Sequence, residues 1–166
     1  LAAEACAERA WCFPQQSPAW REALAEAVAR YHEIGQQQQA RAAGLWAQIE
    51  EGRTLLELGE TARGLALLQA VAELPATEPL IERLQVRAVA AMLDAWLATP
   101  SLADDAAFGE RLRQRLLRLG PPDELDADAL TAKLRAAELL ARRAATDTDL
   151  ERRERARLQE DIRRLA

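Results

Sequence analysis

The chain is predicted to be all-α: an irregular, elongated bundle of about seven helices around one long central helix. Three observations predict this. Alanine (37) and leucine (27) dominate the 166 residues, while valine, isoleucine and threonine together number only 15. Alanine and leucine lose little on entering a helix, whereas β-branched side chains lose rotamer freedom there. Apolar residues recur at alternating steps of four and three, the helical period. The proline and glycine clusters fall between these periodic stretches, as at "LGPPDELD", where they act as breaks.

Taken in order, Leu1–Cys12 reads as a short helix closed by "FPQQ". Ser17 and Pro18 then form a start signal: a side-chain acceptor at the cap, and a proline whose missing N–H costs nothing at the first helical position. From there Leu24, Val28, Tyr31, Gly35, Gln38, Ala42, Leu45, Ile49, Gly52 and Leu56 keep one heptad phase. A loop would normally reset that phase. The spacing therefore predicts one helix over 18–58, about 60 Å long. The competing reading ends a first helix at Gly35, since glycine is the common C-terminal cap.

Gly59 supplies a left-handed cap, and Thr61 is expected to cap a helix over 62–74. Another follows over 78–98, with Leu80, Ile81, Leu84, Ala88, Met92 and Trp96 inward. Ser101 opens a helix carrying Phe108, Leu112, Leu116 and Leu119. Asp126 caps a further one with Leu130, Leu134, Ala137 and Ala141 on one face. A turn at 146–149 precedes the last helix. Gly120, Pro121 and Pro122 are the firmest break, since neither proline can continue a helix. Two parts are therefore expected: 1–120, a bundle holding the long helix, and 121–166, a helical hairpin rich in arginine and glutamate.

In "GRTLLELGETARGLALL", Gly52, Leu55, Gly59, Gly64 and Leu68 resemble the spacing of a tetratricopeptide repeat, over about residues 46–75. Trp46 lies two positions earlier than the repeat would place a tryptophan. The pattern does not recur, because 34 residues on stand Val86, Val89 and Leu93. The resemblance implies a single helical hairpin and protein binding rather than chemistry.

Reaction chemistry finds little material. His32 is the only histidine, without a second ligand at metal spacing, and reads as a polar residue flanking the seam. Cys6 and Cys12 do not match a zinc pair and read as reduced, buried thiols of a cytoplasmic protein. Glu50 and Glu51 are helix neighbours that do not face each other, and read as solvated surface. We therefore expect no catalytic residue, no metal and no cofactor. No apolar run is long enough to span a membrane.

A net charge of −5 argues against non-specific attraction to nucleic acid. Basic charge is nearly all arginine, as in a GC-rich, bacterial-type coding sequence, with Lys133 the only lysine. Arg111, Arg115 and Arg118 line one helix side and Arg152 and Arg153 follow, so phosphate contact is the alternative function. Against it, residues 101–166 carry 14 basic and 14 acidic side chains, so the field nearly cancels. Trp20, Trp46 and Trp96 are the candidate partner-binding residues, because tryptophan is enriched where interfaces concentrate their energy. Since the chain begins at Leu1, it reads as a piece of a longer protein. The expected function is a non-enzymatic scaffolding or interaction module, bound to another protein or to a second copy of itself. The long seam is the main reason for that expectation.

Overall fold

The computed structural model describes residues 2–39, 41–75, 78–99 and 127–146, together with single helical positions between 156 and 163. The all-α expectation holds: six helices and no strand are found among the described residues. They are α1 (Ala2–Ala10), α2 (Pro18–Gln37), α3 (Ala42–Glu57), α4 (Thr61–Ala72), α5 (Pro79–Ala98) and α6 (Ala127–Thr146). The expected helix over 101–119, the turn at 146–149 and the break at 120–122 lie outside the described residues.

The long helix over 18–58 is not formed. It is interrupted between Gln37 and Ala42, and α2 and α3 fold back on each other as a hairpin. The ring of Tyr31 meets that of Trp46 edge-to-face, with centroids 5.7 Å apart. Ala27, Tyr31 and Ala47 share one buried cluster, with Ile34 and Trp46 packed on it. A straight rod would have left this seam in water; folding back buries it within the chain. The helix does not end at Gly35 either, for Gly35 lies inside α2 and is buried. Of the tract's two glycines, Gly44 serves close approach: a Cβ there would lie 2.2 Å from the Gln38 carbonyl oxygen, whereas one on Gly35 would meet Gln48 Cγ at an ordinary 3.4 Å.

By contact the chain divides into two compact units, Leu1–Ala88 and Val89–Ala166. In the first unit α1 packs on α2, α2 on α3 and α3 on α4. Ser17 caps α2 as expected, its Oγ accepting the Trp20 N–H at 3.2 Å, with Pro18 in the first turn. Gly59 (φ 84°) ends α3. There the Gly59 N–H donates to Leu56 O and the Glu60 N–H to Leu55 O, which satisfies carbonyls the helix end would leave bare. Glu60, not Thr61, occupies the cap of α4, and no side chain bonds there.

Glycines also bring α3 and α4 close together. A Cβ on Gly64 would stand 2.7 Å from Gly52 O, and one on Gly52 would stand 2.9 Å from Leu68 Cγ. Toward α5, Arg87 reaches Glu50 at 3.0 Å, and the buried Gln85 donates its side-chain N–H to Leu74 O.

α5 is buried nearly all round from Leu84 to Leu93, leaving only Arg87 partly open, the pattern of a core helix. Leu80, expected inward, is exposed at the helix start. In the second unit, α6 buries Ala129, Ala132, Lys133, Ala136 and, of the expected face, Ala137, while Leu130 is half-buried, Ala141 is exposed and Leu134 is 51% exposed. Alanine allows close helix packing, so the small-residue stripe turns inward instead of the larger leucines. Arg135 pairs with Asp94 at 2.7 Å.

Candidate binding surface and the buried His32–Glu51 pair

Helix α1 ends at Ala10, and the chain crosses to α2 through "WCFPQQS". Backbone bonds from Trp11 to Glu8, Cys12 to Arg9, Phe13 to Ala10 and Ser17 to Pro14 tie this corner down, and Gln16 takes a left-handed φ of 65°. It is thus an ordered turn with its large side chains outward. Trp11 is 78% exposed, and Phe13 and Cys12 are exposed beside it. An aromatic pair held on a rigid turn offers apolar area with little left to order on binding.

The tryptophans singled out from the sequence stand elsewhere. Trp20 packs on a cluster of Ala10, Ala23 and Leu24. Trp46 is half-buried against Tyr31, and Trp96 is buried. The signal for Trp11 was available: it stands two residues before the "FPQQ" break, where a helix can no longer cover it. Arg111, Arg115, Arg118, Arg152 and Arg153 lie outside the described residues. Cys12, expected buried, is exposed, because the helix ends two residues before it. Cys6 is half-buried, hydrogen-bonds the Glu26 carboxylate and is a free thiol like Cys12. Arg9 reaches the same carboxylate at 2.7 Å, so Glu26 joins α1 to α2 and its pKa is lowered, chiefly by the Arg9 hydrogen bond.

Glu51 corrects its reading as solvated surface, while His32 stays a polar, half-open residue beside the seam. Nδ1 of His32 on α2 lies 3.1 Å from Oε1 of Glu51 on α3. Glu51 is only 3% exposed, while more than half of the His32 side chain is open to solvent. Burial raises the Glu51 pKa from its ordinary 4.5, and the charge and hydrogen bond of His32 oppose that rise. The neighbouring Glu50 instead serves as a bridge, accepting from Arg87 at 3.0 Å and from Arg53 at 3.4 Å.

Glu50 and Glu51 thus face different partners, as adjacent helix residues must. Among the described residues, no three His, Cys, Asp or Glu side chains converge as a metal-holding group. No helix there is long and apolar enough to cross a membrane. No known protein family, curated protein or solved structure matches this chain.

Proposed function

We propose that the chain is a non-enzymatic helical interaction module that binds another protein, or a second copy of itself, through the corner at Trp11 and Phe13. The observation that carries this reading is the exposure of Trp11 on an ordered turn. Large exposed aromatics on a rigid frame are where interfaces concentrate their energy. The fold-back of α2 on α3 removes the unpartnered seam that first suggested binding, so the aromatic corner takes its place as the support.

The tetratricopeptide resemblance over 46–75 points the same way, and the glycine-mediated crossing of α3 and α4 supports it. A reducing, cytoplasmic setting goes with this reading, supported by two free thiols.

The test is a photo-crosslinking side chain at position 13, followed by reconstitution of the crosslinked complex from purified chains. Trp11→Ala should weaken the reconstituted complex by about tenfold or more. A chain that crosslinks to nothing and stays monomeric by light scattering would overturn the reading. So would a complex indifferent to Trp11→Ala.

A further inference from the structure

We propose that His32 and Glu51 form a proton-operated latch, which clamps α2 to α3 only while the imidazole is charged and the carboxylate ionised. This inference does not rest on the binding reading above.

Among the described residues, His32–Glu51 is the only side-chain hydrogen bond joining α2 to α3. The connecting turn supplies none. Gln39 donates to Gln36, Gln37 to Glu33 and Arg41 to Gln38, all local bonds at the hairpin tip. The rest of the α2–α3 contact is apolar packing around Ala27, Tyr31, Ala47 and Trp46, in which only the strongly raised Tyr31 phenol can titrate, and only in strong alkali. Below that range a pH response across this pair of helices passes through the one polar link.

The pair is also asymmetric in the way a proton switch needs. The carboxylate is enclosed, whereas the imidazole is open to solvent and can exchange protons. From α2 Glu51 is faced by His32, and from α4 by the more distant charge of Arg63, which is itself bonded to Glu60. On α3, Glu50 and Arg53 are engaged with each other, and Arg87 of α5 joins them. Beside His32, Glu33 is held by Arg30 and Gln37. Among the described residues, His32 is thus the only group within bonding distance that can cancel the buried charge.

Two limits bound the latch. Acid protonates Glu51 and leaves the imidazolium bonded to an uncharged carboxyl, so the charge pair is lost. Alkali removes the imidazole's charge and leaves an enclosed carboxylate without a countercharge. The grip is greatest between these limits.

A double-mutant cycle with His32→Ala and Glu51→Gln, read by denaturant unfolding at three pH values, tests this. The coupling in the folding equilibrium constant should be about tenfold near pH 6, and should shrink below about twofold near pH 4 and pH 8.5. Coupling that is flat across the three values, or below twofold at all of them, overturns the proposal. Hydrogen exchange on the unaltered chain gives a second reading should a variant fail to fold. Protection of the amides at 27–35 and 45–52, taken relative to α4, should fall several-fold from pH 6 to pH 8.5. An unchanged ratio overturns it equally.

Discussion

Gly52 and Gly64 bring α3 and α4 so close that a Cβ on Gly64 would lie 2.7 Å from the Gly52 carbonyl oxygen. That oxygen belongs to the backbone of a buried helix and cannot move aside as a flexible side chain would. Gly64→Ala should therefore destabilise the chain by about 2 kcal/mol, measured by denaturant unfolding. Gly59→Ala meets nothing within 4 Å, but must hold φ 84°, and should cost about 1 kcal/mol from backbone strain alone. The ranking of the two separates a steric glycine from a conformational one.

At the hairpin tip the demand is sharper. A Cβ on Gly44 would lie 2.2 Å from Gln38 O, within the turn that reverses the chain. Gly44→Ala should shift the tip and disturb the Tyr31–Trp46 contact just beyond it. We expect a change in tryptophan fluorescence at 25 °C and a loss of about 2 kcal/mol. An unaltered spectrum and stability would contradict the fold-back of α2 on α3.

Glu51 binds its proton more tightly in the folded chain than in the unfolded one, because burial raises its pKa. The burial part of its contribution, separate from the opposing charge coupling to His32, is complete below the ordinary carboxyl pKa of 4.5 and is lost as pH rises through the raised value. Glu51→Gln never ionises, so its stability relative to the natural chain should improve between about pH 4 and about pH 8.5. Thermal unfolding at the two pH values reads the sign directly.

Tyr31 is the only tyrosine, which makes its ionisation directly observable. Burial, with the charge of Glu50 adding to it, pushes its pKa up to about 12. The unfolded phenol ionises near 10.0, so stability from this group is present below pH 10 and is lost as pH rises toward 12. Tyrosinate absorbance should appear together with the loss of helical circular dichroism. Ionisation near pH 10 with the helices intact would place the ring in water.

Much of this fold was legible in the chain, wherever local chemistry sets the outcome. The cap at Ser17, the left-handed Gly59 and the start of α5 follow from groups a few residues apart. The error over 18–58 had a different origin. Heptad phase survives the glutamine tract, and glutamine costs little in a helix, so nothing local announces the turn. The face of α6 was misjudged for a related reason: periodicity marks both an alanine and a leucine stripe, and only the neighbouring helices select between them. The candidate surface was half legible. Tryptophan was the right residue type, but exposure depends on what packs over it, and that moved the choice from Trp20, Trp46 and Trp96 to Trp11.

By itself, the sequence determined an all-helical chain, most of its helix ends, and the absence of a second histidine to build on. Tertiary structure alone decided that α2 turns back on α3, that Glu51 is enclosed within hydrogen-bond distance of His32, and that Trp11 faces outward. The physical reason is range. Propensity and capping act within a turn or two of helix, whereas burial is settled by residues twenty positions away that come to lie alongside.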